Sequence, residues 1–201
     1  MITTIGIYLF PEIEVLDFAG PYEVFTTASR VAGRQSPGTE PAFSVFSVSA
    51  AGDPVRARAG LQIVPDFTFA GHPHIDLLVI PGGVVTGEME KSEVCRWIST
   101  TAASSALTAS VCTGVFLLAR AGVVASHRVT THWEDIAELR SLFPGLDVVG
   151  DVRWVDEGAI VTSAGISAGI DMSLHLVERI AGRDLAAATA RQMDFDWRQE
   201  S

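Results

Sequence analysis

The sequence predicts an α/β fold in which a mostly parallel sheet is covered by helices on both faces. Three observations carry that expectation. Short β-prone runs alternate with helical stretches along the whole chain, as crossover-linked parallel strands require. Two of these runs, residues 3–10 (TTIGIYLF) and 75–81 (IDLLVIP), are dominated by large apolar side chains, as strands buried on both faces are. Three run ends carry residues unusual for a plain turn: an acidic loop after the first, Pro81-Gly82-Gly83 after the second, and Cys112 after residues 107–111. In such sheets the chemistry gathers beyond the carboxyl ends of the strands.

In chain order, residues 3–10 are the first strand, and Pro11 stops it. PEIEVLDFAGP leads as a loop into a helix over 22–32, with Val24, Phe25 and Ala28 on its apolar side. Residues 33–41 (GRQSPGTEP) are a polar loop, and 42–49, with Phe43, Val45, Phe46 and Val48, form a strand. Residues 53–65 read as a short hairpin turning near Gly60, and 75–81 as a buried strand. A helix over 92–103 offers Val94, Trp97 and Ile98 for packing. The strand 107–111 is followed, past Cys112, Thr113 and Gly114, by a buried helix over 115–121. A strand at 128–131 and a helix at 133–142 come next, the helix ending before Pro144. Residues 147–155 and 159–163 pair around a turn at 156–158, and helices over 166–181 and 185–197 close the chain.

Length and composition set the bounds. The 201 residues are expected to form one domain, 1–201, large enough for a substantial core. The net charge of −10, without a cluster of Lys and Arg, argues against nucleic acid as a partner. Two cysteines make no disulfide framework, which suits a reducing cytoplasm. The opening MITTIGIYLF lacks a basic leader region, and no apolar run is long enough to span a membrane.

The stretch LTASVCTGVFLLARAG (107–122) organises the rest. A cysteine between strand and helix sits beneath the first free N–H groups of that helix, which favour thiolate over thiol. The same corner presents the serine of the hydrolase nucleophile elbow. Cys112 is therefore read as a nucleophile, the other reading being a small residue filling a buried hole. Convergence of the three strand ends favours the nucleophile. Gly82 and Gly83, with the N–H of Thr113, can form an oxyanion hole, or Pro81-Gly82-Gly83 is an ordinary tight turn. No Lys-Ser/Thr pair or GxGxxG follows to make a phosphate loop.

Two side chains compete as the proton carrier. Asp17, flanked by Leu16 and Phe18, is placed to be drawn inward, which raises a carboxyl's pKa and suits it to proton transfer. Alternatively it caps the following helix. Glu12 and Glu14 are read as solvated. His132, in TTHW, can activate the thiol or simply start a helix. The other histidines show no ligand spacing, so no metal site is expected. Cys95 is taken as a packing residue.

Four segments, LFPEIEVLDFAGP, DLLVIPGG, SVCTGVFLLARAGVVASHRVTTHW and DEGAIVTSAGISAGIDMSLHL, occur in the order found in the ThiJ/PfpI superfamily, of the class I glutamine amidotransferase-like type. The chain resembles most closely its isonitrile (isocyanide) hydratases and the related N-terminal domains of AraC-type regulators. The resemblance implies a flavodoxin-like three-layer sandwich, a homodimer, a small-molecule substrate and no metal or organic cofactor. It assigns the nucleophile to Cys112, the acid to Asp17 and a supporting hydroxyl to Thr113. Peptidase-like members carry a histidine after the cysteine, and members acting on glyoxals a glutamate in the first loop; Thr113 and Asp17 depart from both. The resemblance implies a thioimidate on Cys112 that water converts to an N-substituted formamide. In that scheme the hydroxyl of Thr113 holds Asp17 or the water, while Ile166 and Ser167 cover the sulfur; the other reading of GISAGID, compatible with this one, is the glycine-rich start of a packed helix. The regulators add a helix-turn-helix domain, for which the chain is read as ending too soon at Ser201. A ligand or redox sensor, or small-carbonyl chemistry through Cys112, is the alternative.

Overall fold

The structure is a computed structural model that describes residues 3–199. Its first half comprises β1 (Thr3–Tyr8), α1 (Val15–Gln35), β2 (Phe43–Ser49), β3 (Val55–Arg56), β4 (Gln62–Ile63), β5 (Phe67–Thr68), β6 (Leu77–Ile80), α2 (Thr86–Met89) and α3 (Ser92–Ser104). The second half comprises β7 (Leu107–Val111), α4 (Gly114–Arg120), β8 (Arg128–Val129), α5 (Ile136–Leu142), β9 (Asp147–Val148), β10 (Trp154–Asp156), β11 (Ile160–Ser163), α6 (Ala168–Ala181) and α7 (Arg183–Gln192). Short 3-10 turns occupy Arg58–Gly60 and Trp133–Asp135.

Seven strands form the central sheet in the order β10-β11-β7-β6-β1-β2-β5. Every neighbouring pair is parallel except β10 with β11. Side chains of a strand alternate between faces, and the alternation here sorts the core into two layers. Ile5, Ile7, Leu77, Val79 and Val111 face α1, α6 and α7, where Val24, Phe25, Met172, Leu176 and Leu185 meet them. Tyr8, Val48, Leu78 and Ile80 face α3, α4 and α5, against Trp97, Ile98, Phe116, Leu117 and Leu139. The result is a flavodoxin-like three-layer sandwich with a mostly parallel sheet. Among the described residues no helix is long and apolar enough to cross a membrane.

The elements depart from expectation in several places. The first helix begins at Val15, not Tyr22, and runs through Pro21, its seventh residue, which leaves the Asp17 carbonyl without its intrahelical donor. Asp17 consequently sits in the first turn of α1 rather than in a loop. The stretch 147–155 is not one strand: β9 pairs with β8 in a separate small sheet, and β10 alone joins β11. Positive φ values at Ile166 and Asp194 keep these residues out of α6 and α7, since a left-handed residue ends a right-handed helix. The strand β5 and the one-turn helix α2 are additional, each too short to show a period in the sequence.

Candidate active site

The carboxyl ends of β1, β6, β7 and β11 lie side by side in the sheet, and the segments leaving them build one site. Cys112 follows β7 with φ 54°, a left-handed conformation that costs an L-residue about 1–3 kcal/mol. Its backbone is held: the N–H donates to the Ser163 carbonyl at 3.1 Å, and its carbonyl accepts from the Thr131 hydroxyl at 2.9 Å. Gly114 is required behind it, because a Cβ there would lie 2.0 Å from the Ile80 carbonyl oxygen. The corner thus presses the start of α4 onto the end of β6.

Asp17 reaches the same place from α1. Its carboxyl is fully buried, and Oδ2 accepts from the Gly82 N–H at 3.0 Å. Oδ1 makes no full hydrogen bond. Burial raises Asp17 from 3.8 to about 7; the Gly82 N–H opposes this, the Glu14 charge adds to it, and the nearby Cys112 thiol and Arg58 pull it back. Cys112 itself is pushed up to about 12, first by burial and then by the Asp17 charge, against the N–H groups of Thr113 and Ile166 that favour its thiolate. The expected lowering of the thiol by the helix start is not found. Two backbone donors, Thr113 at the head of the seven-residue α4 and Ile166 just before α6, are outweighed by burial beside a carboxylate. The two groups are one unit, and its protons belong to the pair.

Gly82 and Gly83 close the wall. The Gly82 N–H goes to Asp17, and the Gly83 N–H donates to the Thr113 hydroxyl at 2.9 Å, which donates back to the Gly83 carbonyl at 2.9 Å. These glycine N–H groups are therefore not free to receive an oxyanion, and the Thr113 hydroxyl braces Gly83 instead of holding Asp17. A Cβ on Gly82 would stand 2.6 Å from the Thr113 nitrogen and 2.8 Å from Asp17 Oδ2. The backbone donors aimed at sulfur are Thr113 and Ile166. Ile166 holds φ 52°, a strained conformation for a β-branched residue.

Beside the sulfur is a cleft of ≈ 200 Å³ whose lining includes Glu14, Arg58, Ile166, His132, Glu134 and Asp135. His132 makes no hydrogen bond to Cys112 among the described residues. Its Nδ1 accepts from the Glu134 N–H at 3.4 Å and lies 3.5 Å from Asp135, so it caps the turn at Trp133–Asp135. Chemically, the arrangement can trade one proton between Asp17 and a sulfur at the floor of a small cleft. Among the described residues no cluster of His, Cys, Asp or Glu could hold a metal.

The DJ-1/PfpI family profile matches residues 3–179. The chain belongs to the DJ-1/PfpI family. It is 33% identical over 198 residues to the isonitrile hydratase of Pseudomonas putida, covering 97% of this chain and 79% of that protein. It is 29% identical over 193 residues to the HTH-type transcriptional regulator GbdR of Pseudomonas aeruginosa, covering 96% of this chain and 51% of the regulator. The chain thus spans about half the length of that regulator. The crystal structure of a ThiJ/PfpI family protein from Pseudomonas syringae superposes with a TM-score of 0.85 at 25% identity, over 98% of this chain and 76% of that one.

Sequence reasoning missed part of this DJ-1/PfpI site. Glu14, read as solvated, is paired with Arg58 at 3.2 Å on the cleft wall, and Asp135 lines the same cleft. Arg58 arrives on the β3–β4 hairpin, which is tied back to the loop between β1 and α1 by the Arg58 N–H to Ile13 carbonyl bond at 3.1 Å. A hairpin arginine carries no local signal of that destination.

Proposed function

We propose that the protein hydrates isonitriles to N-substituted formamides, with Cys112 as nucleophile and Asp17 as the proton carrier. One observation carries the reading: a fully buried Asp17, raised to about 7, lies beside a thiol at the floor of a small cleft. The likeness to the Pseudomonas putida isonitrile hydratase over nearly the whole chain supports it.

Hydrating R–NC places a proton and an oxygen on the same terminal carbon. In the first step sulfur bonds to that carbon while the proton shared with Asp17 is delivered to it, giving the thioimidate R–N=CH–S–Cys112. Asp17, now a carboxylate, takes a proton from water as the hydroxyl adds, and the imidate nitrogen receives it. The C–S bond then breaks; the hydroxyl proton returns to the Asp17–Cys112 pair and R–NH–CHO leaves. Splitting one difficult addition into two covalent steps is the gain from a nucleophile. The N–H groups of Thr113 and Ile166 support sulfur as it departs. Thr113 and Gly83 brace the wall against which Asp17 is held.

The test is formamide formation from a simple alkyl isonitrile. Wild type is expected to turn over; Cys112→Ala is expected to retain the fold and lose all turnover. Activity undiminished in Cys112→Ala removes the covalent scheme. The likeness to GbdR favours a second reading, ligand sensing at the same cleft. Saturable isonitrile binding without formamide would favour it.

A further inference from the structure

The surface does not close beyond the rim of the Cys112 cleft. His132 and Ile166 line that cleft on one side and a second hollow of ≈ 260 Å³ on the other, where Trp133, Ile136, Val152 and Arg153 are among the walls. The partition is fixed: a Cβ on Gly165 would lie 2.0 Å from the His132 ring, so the ring is seated directly on that glycine. Trp133 is 75% exposed and Ile166 38%. Large apolar side chains left in water beside a reactive sulfur gain free energy when an apolar group covers them.

The charges near the groove indicate which groups it excludes. The guanidinium of Arg153 is spent on the fully buried Asp171. Asp151 stands on the groove wall, and Glu134 and Asp135 on the adjoining cleft. With Glu14 engaged by Arg58 on the cleft wall, an anionic substituent would meet the carboxylates of Asp151, Glu134 and Asp135 and find both nearby guanidinium groups already paired. A flat neutral ring would find the open face of an indole.

We propose that this groove receives the organic substituent of the substrate and selects neutral, flat, apolar groups, aryl rings stacked on Trp133 above all. The identity of the reacting group rests on the hydration reading; the groove and its preference rest on the geometry of Trp133, Ile136, Val152 and Ile166.

Gly150 provides the test. It lines the groove, has no positive φ, and a Cβ there would meet nothing within 4 Å. Gly150→Trp therefore fills the groove without a clash at Cβ. For 2-naphthyl isonitrile, kcat/KM is expected to fall roughly tenfold or more, carried by KM. Methyl isonitrile fits the Cys112 cleft alone and should change by less than about twofold. Trp133→Ala is expected to weaken the aryl substrate in the same direction. N-(2-naphthyl)formamide, titrated calorimetrically into wild type and both variants, reads the groove without turnover. If wild type binds this amide but hydrates neither isonitrile, and Gly150→Trp abolishes binding, the hydration reading fails and the groove stands. Undetectable amide binding to wild type, or equal affinity in all three proteins, overturns the groove whatever the activity.

Discussion

Replacing Asp17 by asparagine should stop the chemistry and stabilise the protein above neutral pH, by an amount that follows from its burial. A carboxyl raised from 3.8 to about 7 on folding holds its proton more tightly folded than unfolded. Wild-type stability from this group is therefore complete below about pH 4, is lost as pH rises toward about 7, and is flat above. At about 1.4 kcal/mol per pH unit the full loss is of the order of 4 kcal/mol. About half of it, on the order of 2 kcal/mol, develops between pH 5.5 and pH 8. The amide introduced by Asp17→Asn keeps an oxygen for the Gly82 N–H but cannot ionise, so the variant escapes this loss. Allowing about 1 kcal/mol for imperfect hydrogen bonding, its net advantage at pH 8 is about 2–3 kcal/mol, or roughly 5–10 °C in Tm for a chain of this size. Urea unfolding of both proteins at several pH values measures the gap, and taking the difference cancels every other titrating group. A gap that stays constant between pH 5.5 and pH 8, or that favours wild type more as pH rises, refutes the assignment of a buried, proton-holding Asp17.

Two further outcomes follow from the same pair. Wild-type kcat/KM for an alkyl isonitrile should rise through an apparent pKa near 7, as the pair drops from two protons to one, and remain level through pH 9, since the second proton leaves near 12. Alkylation of Cys112 by iodoacetamide should show the same inflection near 7, absent in Asp17→Asn; a steady rise through pH 8–9 in both proteins would detach the thiol from Asp17. Gly82→Ala would set a Cβ 2.6 Å from the Thr113 nitrogen and hydroxyl and 2.8 Å from Asp17 Oδ2. It should cost about 1–3 kcal/mol in chemical denaturation together with most of the activity, and wild-type stability and activity in this variant would mean the wall yields.

The layered sheet was legible because parallel strands announce themselves: residues 75–81 can be little else than a buried strand, and Cys112 at the end of the next strand follows from topology. Asp17 was legible as a buried acid because two apolar neighbours flank it. Its place on a helix was not, because a proline near a helix start looks in sequence like a boundary. The Arg58–Glu14 pair and the double contact between Thr113 and Gly83 were illegible for another reason. They join residues 44 and 30 positions apart, and nothing local in either partner records the other. The direction of the Cys112 pKa went astray because the helix terminus can be read from the chain, whereas the depth of burial beside a carboxylate cannot.

That direction bears on the chemistry. A helix terminus supplies up to about 2 kcal/mol in favour of a thiolate, while burial first and the Asp17 charge second oppose it and hold the thiol up at about 12. Burial beside the acid wins, and the sulfur is a thiol unless Asp17 takes its proton. For attack on a carbonyl this would be a handicap, because the nucleophile is scarce and the Gly82 and Gly83 N–H groups are already engaged. For an isonitrile the balance differs, since its terminal carbon must acquire both a sulfur and a proton in forming the thioimidate. A free thiolate with a distant acid would bring only half of what is added. A pair that holds one proton between carboxyl and sulfur brings both to the same point. The raised pKa values of Asp17 and Cys112 are thus a reason to favour addition across a carbon that accepts both partners over acyl transfer. An enzyme faster on activated esters than on any isonitrile, with the same inflection near 7, would reverse that preference.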